Sequence, residues 1–316
     1  HPRYSTGYTT LFNTLGMMVE THMLKDYKSR VEGTYALLQT FTELCEQYHL
    51  ELEQGYVANQ NLYHPLDKYP LNWRIDTTQS RPIEFLGYAA EYLPSALTGQ
   101  NRLKYNRTAP YKKNIPYFDT YRPTDSVIIP RYYGIPRTYH RVIERLKSNH
   151  IKLVELKQEL ITEAEVYHIQ DFKTRTNAYE GHYLHYNTQV STSLERIGLS
   201  AGDYLIPVDQ FGLRYILETL EPQAIDSFFN WNFFDTILQQ KEGFSPYVWE
   251  DLALEILKSN PELKAEFEAY KSKHSDFAQN AYAQLDWLHK RSVHYEKEHL
   301  RYPVVRLLGE VVLGED

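Results

Sequence analysis

Glu20 is the first residue of this sequence with the means to do chemistry, because it closes an apolar run. It follows Leu15, Gly16, Met17, Met18 and Val19 and precedes Thr21 and His22. The run reads as a buried strand, and a carboxylate at its end is costly unless it is paired, hydrogen-bonded or used. Proton transfer is the chemistry such a group serves. Residues His1 to Asn13 read as a loop and turn leading into that strand. With no initiator Met and no secretory apolar segment ahead of it, the chain reads as starting partway through a larger protein.

Other candidate chemistry is sparse. Thirteen histidines invite a metal search. No His-Glu-x-x-His or His-x-x-Glu occurs, and the pairs His64/Asp67 and His168/Asp171 fall in a loop and on opposite strand faces. No structural zinc is expected at any of them. Gly-x-Ser-x-Gly, Walker and Gly-x-Gly-x-x-Gly motifs are missing. Acidic residues of the last third, such as Glu250, Asp251, Glu255, Glu262, Glu266 and Glu268, alternate with lysines as on a solvated helix face. Asp226, Asp235 and Glu242 sit beside the aromatic cluster Phe228, Phe229, Trp231, Phe233 and Phe234, where they either cap and pair or line a polar pocket. Two further clusters admit a structural or a ligand-binding role: Tyr179-Glu180-Gly181-His182-Tyr183, and Gly202 to Gln210, where Asp209 is placed to cap a helix.

Composition narrows the class. The 316 residues allow two domains, with 42% hydrophobic and 24% charged residues as in ordinary globular proteins. A net charge of −7 with both signs interleaved argues against a nucleic-acid footprint. No apolar stretch is long enough for a membrane span. The single cysteine, Cys45, excludes an intrachain disulfide and reads as a small core residue. The 28 tyrosines fit half-buried strands or a surface that binds peptide or sugar.

The elements that must position these residues change character along the chain. Three-and-four spacing predicts a helix over Lys25 to Glu53, ended by Gly55. Residues 55–70 read as a linker. Strands are predicted at Leu71 to Asp76 and Ile83 to Tyr88, joined by a polar turn, and again at Asn101 to Arg107. Ala109 to Pro136, with five prolines, reads as loop and edge around Val127 to Ile129. A helix over Thr138 to Asn149 is followed by strands at Ile151 to Leu156, Ala164 to Phe172, Gly181 to Leu194 and Asp203 to Pro207. Helices are predicted over Gln210 to Leu220, Gln223 to Gln240, Pro246 to Ser259, Pro261 to Lys273 and Phe277 to Lys290. The expected fold class is therefore α+β: an α/β remnant over 1–54, then, over 71–316, a mostly antiparallel β region with an inserted helix and a helical tail.

Two segments carry a resemblance. Arg3-Tyr4-Ser5-Thr6-Gly7-Tyr8 through Gly16 to His22 resembles the closing strand of the M14, carboxypeptidase A-like, zinc carboxypeptidases. Gly202-Asp203-Tyr204, Leu220-Glu221-Pro222-Gln223, Asp226 to Trp231, Gln240-Lys241-Glu242 and Tyr302-Pro303-Val304 resemble the long C-terminal extension of a bacterial subgroup of that family. The resemblance implies that 1–54 ends an α/β catalytic domain and that Glu20 is its general base or acid, activating a zinc-bound water. It implies Tyr4 or Tyr8 as a substrate contact and a periplasmic or secreted location. The family's three zinc ligands and carboxylate-binding arginines have no counterpart here, so zinc belongs to the parent protein and no cofactor is expected in this chain. The expected function is the C-terminal portion of a peptide hydrolase, inactive alone, meeting peptide through a part that lies upstream. The alternative is an accessory module that binds peptide or glycan without catalysis.

Overall fold

A computed structural model describes residues 1–311. By contact the chain divides into two units: 1–67 together with 129–311, and Lys68–Ile128.

In the larger unit a short helix, α1 (Ser5–Thr10), folds the N-terminal residues back on themselves. A Cβ at Gly7 would fall 1.9 Å from the His1 carbonyl oxygen, so only glycine admits this turn. The strand expected at Leu15 to Glu20 does not form. Residues 15–22 lie outside any helix or strand, and all of them are exposed. A strand needs a ladder partner for its N–H and C=O groups, and none of the described strands pairs with this run. Next come α2 (Tyr27–Gln47) and α3 (His49–Gln60), broken at Tyr48. Asp26 starts α2 by accepting from the Ser29 N–H at 2.9 Å, which satisfies one orphan donor of the first turn. Neither helix buries a residue, and Cys45 is exposed rather than in a core. Helical spacing supplies an apolar stripe, but burial requires a packing partner.

The smaller unit pairs β1 (Lys68–Ile75) with β4 (Tyr121–Ile128), and β2 (Arg81–Pro94) with β3 (Asn101–Tyr117), all antiparallel. The polar turn after β1 therefore closes no hairpin. Asp76 organises it by accepting from the Thr78 N–H at 3.0 Å and the Thr78 hydroxyl at 2.6 Å. Strand β3 runs through Pro110 and Pro116, where the sequence predicts loop. Proline is tolerated because each strand of a two-stranded ladder keeps one free edge.

The larger unit resumes with a six-stranded antiparallel sheet. Its strands are β5 (Tyr132–Ile135), β6 (Val154–Glu155), β7 (Leu160–Thr174), β8 (His185–Leu199), β9 (Tyr204–Pro207) and β10 (Val305–Leu307). Their order is β6-β9-β5-β10-β7-β8. Ala164, Val166, Leu199, Leu205, Val305 and Leu307 form one core of the sheet. Helix α4 (His140–Ser148) buries Val142, Ile143 and Leu146, as its pattern predicts. Helix α5 (Leu213–Leu220) is started by Gly212 at φ 92°, a left-handed residue, so Asp209 is not its cap.

Residues 221–234 form compact turns rather than the helix predicted over Gln223 to Gln240. Asn230 donates from its side chain to the Ala224 carbonyl at 2.8 Å, and its own N–H donates to the Ser227 hydroxyl at 3.1 Å. Such local bonds compete with helix formation. A 3₁₀ turn, Asp235–Leu238, ends the segment. The first two tail helices start at the predicted prolines, α6 (Pro246–Ser259) and α7 (Pro261–Lys273), whereas the single helix predicted over Phe277 to Lys290 is divided into α8 (Ser275–Ala278) and α9 (Ala281–His289). They close over Trp249, Phe267, Trp287 and Leu288. The chain is thus of the α+β class, with a helical tail.

The N-terminal residues pack on the body that follows β4. Phe12 stacks on Tyr215 at 5.6 Å, and Arg214 donates to the Thr10 carbonyl at 2.7 Å. That packing groups 1–67 with 129–311, whereas the sequence-drawn division at 55–70 follows the change of periodicity.

Candidate functional site

A cavity of about 310 Å³ opens between α1, α4, α5 and the 175–184 and 221–234 segments. Its floor is built on Asp226, whose side chain is almost inaccessible. The carboxylate pairs with the Arg3 guanidinium at 2.6 Å and accepts from the Arg3 backbone N–H at 3.0 Å. The Trp231 indole N–H donates to it at 3.1 Å. Three donors from two directions satisfy a buried charge that would otherwise be costly.

One wall is a hydrogen-bond relay. The Tyr8 hydroxyl donates to Asn149 Oδ1 at 2.6 Å, and Asn149 Nδ2 donates to the Tyr215 hydroxyl at 3.0 Å. Burial, and then the nearby Tyr8, push the Tyr215 phenol well above its ordinary range, so it stays protonated. The facing wall is aromatic and cationic. His182 meets Trp231 edge-on at 5.3 Å and stacks on Phe233 at 6.0 Å. The Arg145 guanidinium sits 4.5 Å from the Phe233 ring centre and donates from Nη1 to the Arg141 carbonyl at 2.9 Å. Among the described residues Arg145 has no carboxylate partner. The arrangement has no nucleophile set against a base. The cavity is lined by apolar and aromatic side chains with a few fixed polar groups.

Of the residues singled out in sequence, Tyr8 lines this cleft. Tyr4 is exposed at the start of α1 with its ring 6.2 Å from that of His1, and is not among the lining residues. Glu20 lies outside it too, exposed in the irregular run after α1. The Tyr179 to Tyr183 cluster does reach the cleft. Tyr179 and His182 exchange backbone hydrogen bonds across Glu180 and Gly181, both at positive φ, and this tight turn delivers His182. The second cluster is structural. Asp203 accepts from the Ser200 and Arg137 N–H groups at 2.8 and 2.9 Å. Asp226 was legible as an acid beside aromatics. Arg145 carried no signal, since a cation on the polar face of an amphipathic helix is ordinary.

Two other polar networks lie in the same unit. Glu221 is fully buried, accepts from the Tyr133 hydroxyl, and has Arg306 Nε 3.0 Å away. Glu165 pairs with the other end of the same guanidinium. His185 has Thr174 Oγ1 2.9 Å from Nδ1 and Asp235 Oδ1 3.1 Å from Nε2. That is the atom order of a hydroxyl, base and orienting acid. Asn232 Nδ2 also approaches Nε2, at 3.2 Å, and the set ties the ends of β7 and β8 to the 229–235 turns.

No group of three or more His, Cys, Asp or Glu among the described residues is placed to hold a metal ion. Glu20 and His22 are exposed and stand apart from any such group, so the residues present do not fit a zinc site. No helix of the described residues is long and apolar enough to cross a membrane. No family model, curated protein or solved structure matches the chain.

Proposed function

We propose that this chain is the C-terminal portion of a zinc-dependent, carboxypeptidase-like hydrolase of peptide bonds, and that it is inactive alone. The observation that supports this reading best is the exposure of Leu15, Met17, Met18 and Val19 immediately before Glu20. Four large apolar side chains within five residues left in water are a run suited to a buried strand with nothing to bury against. In this reading the neighbouring strands belong to the longer protein, and Glu20 becomes its proton-transfer group. Tyr4 and Tyr8 are the proposed substrate contacts, and a periplasmic or secreted location goes with the same resemblance. The test is a C-terminal peptide release assay with zinc added. The chain alone is expected to show no turnover above buffer, and zinc-dependent turnover by it would overturn the proposal.

A second reading, an accessory module that binds without catalysis, is favoured by the cleft. Its polar groups are held by a buried ion pair and a three-residue relay, so the site is formed before any ligand arrives.

A further inference from the structure

We infer that two copies of this chain join through the free edge of β2, antiparallel about a two-fold axis at Tyr88. The inference goes beyond both readings above and concerns the smaller unit alone. Backbone parity decides which edge is open. Pro82 lies opposite Pro116, and Pro110 lies opposite Tyr88. A proline has no N–H, so neither pair can exchange the two bonds of a hydrogen-bonded pair. Residues in step with them turn their N–H and C=O groups away from the partner strand. On β3 these are Pro110, Lys112, Asn114 and Pro116, a row with a donor missing at each end. On β2 they are Glu84, Leu86, Tyr88, Ala90 and Tyr92, an unbroken row of donors and acceptors. Pro94 falls on the same parity beyond the bulge, so Pro82 and Pro94 bound this row symmetrically about Tyr88.

The edge is accessible. Among the described strands β2 pairs only with β3, and Leu86, Tyr88 and Tyr92 are 71, 48 and 72% exposed. Open edges are ordinarily blunted by proline or lysine. Here β3 carries both devices, and β2 carries neither between its end prolines. The occupant follows from self-complementarity. An axis at Tyr88 sets Leu86 opposite Ala90 of the second copy and Glu84 opposite its Tyr92, and each contact occurs twice. Every outward N–H from Glu84 to Tyr92 then meets a carbonyl, and a carboxylate faces a phenol rather than another acid. An axis at Glu84 would set two carboxylates against each other. One at Leu86 or Ala90 would bring a proline opposite the row at each end. Glu84 is already paired with Lys112 of its own hairpin at 2.7 Å. Two ribbons, each marginal alone, become one four-stranded sheet.

The experiment is sedimentation equilibrium of the full chain across the micromolar range, where a reversible monomer–dimer equilibrium is expected. Leu86→Pro removes a donor from the middle of the open row and is expected to weaken the dimer about tenfold. Lys112→Pro, the same change on the β3 edge, is expected to leave it intact. Both prolines fall where the N–H points outward, so the melting temperature of the monomer should hold in each. The axis is tested separately by charge, with no change to the backbone. Tyr88→Lys alone and Tyr88→Glu alone are each expected to weaken dimerisation, and an equimolar mixture of the two to restore it. A monomer at every concentration, a larger assembly, equal effects of Leu86→Pro and Lys112→Pro, or no recovery in the mixture would each overturn the assignment.

Discussion

Glu221 and Arg306 show what single residues contribute to this fold. Both side chains are removed from water, one at the end of α5 and one on β10. Burial opposes the charge on Arg306, but Glu221 and the phenols of Tyr133 and Tyr167 outweigh it and hold the guanidinium charged. Burial, then the Glu221 charge, drive the Tyr133 phenol far above its ordinary range. The tyrosines therefore stay neutral. Removing one partner of such a pair leaves the other charge buried and uncompensated, at a cost of about 3–5 kcal/mol. Glu221→Ala is expected to lose that much in urea unfolding, while a loss under 1 kcal/mol would show that the pair carries little. Residue-level chemistry was only partly legible in the sequence. Tyr8 was named only through the resemblance and Asp226 through its aromatic neighbours, but Arg3, Arg145 and Arg306 find their roles across 223, 88 and 141 positions in the chain. 

Those partners are Asp226, Phe233 and Glu165 respectively, and nothing local to each arginine announces them.

At the scale of elements, the helical tail combines a legible outline with a hidden sensitivity. Pro246 and Pro261 mark the first turns of α6 and α7, and both helices run as their patterns predict. The composition of the core they close over was less visible. His289, at the end of α9, is buried beside Phe244 and Trp249 with ring centres 5.1 Å away in each case. Burial lowers its pKa below the ordinary 6.5, with His294 and Lys290 acting in the same direction and Asp286 against them. The unfolded chain therefore takes up this proton more readily than the folded one, so stability is complete above pH 6.5 and falls as pH drops below it. Acidification through that window is expected to loosen the tail, read as a shift in Trp249 and Trp287 fluorescence, and His289→Leu is expected to flatten it. A pH response that persists unchanged in the variant would assign it to another group. Elsewhere the periodicity misled for physical reasons. The 223–240 stretch is rich in aromatics at helical intervals, but Asn230 and Ser227 bond back to the backbone and close turns instead. Strand β10 has only three residues, too few to show a period, and its place between β5 and β7 depends on tertiary pairing.

At the scale of the molecule, the smaller unit leaves and rejoins the larger one at a single point. The Ile129 N–H donates to the Asp67 carbonyl at 2.9 Å, and the Leu66 N–H donates to the Ile129 carbonyl at 2.8 Å. Residues 68–128 are thus inserted between two hydrogen-bonded neighbours. This unit also reverses the sign of the chain: it holds nine lysines and arginines against five aspartates and glutamates, within a chain of net charge −7. The α+β class and the tail could be read from the pattern of elements, because proline placement and alternation act locally. The grouping of residues 1–14 with the body after β4 could not, since it rests on contacts such as Arg3 with Asp226. The exposed run Leu15 to Val19 leads to Glu20 with none of the described strands paired to it. The most direct test is Glu20→Gln in the longer hydrolase of which this chain is proposed to be part, with kcat, KM and melting temperature measured together. Loss of a general acid–base group lowers turnover about 10²–10⁴-fold, so kcat is expected to fall by that factor with KM and melting temperature little changed. A variant that turns over peptide at the wild-type rate would contradict it.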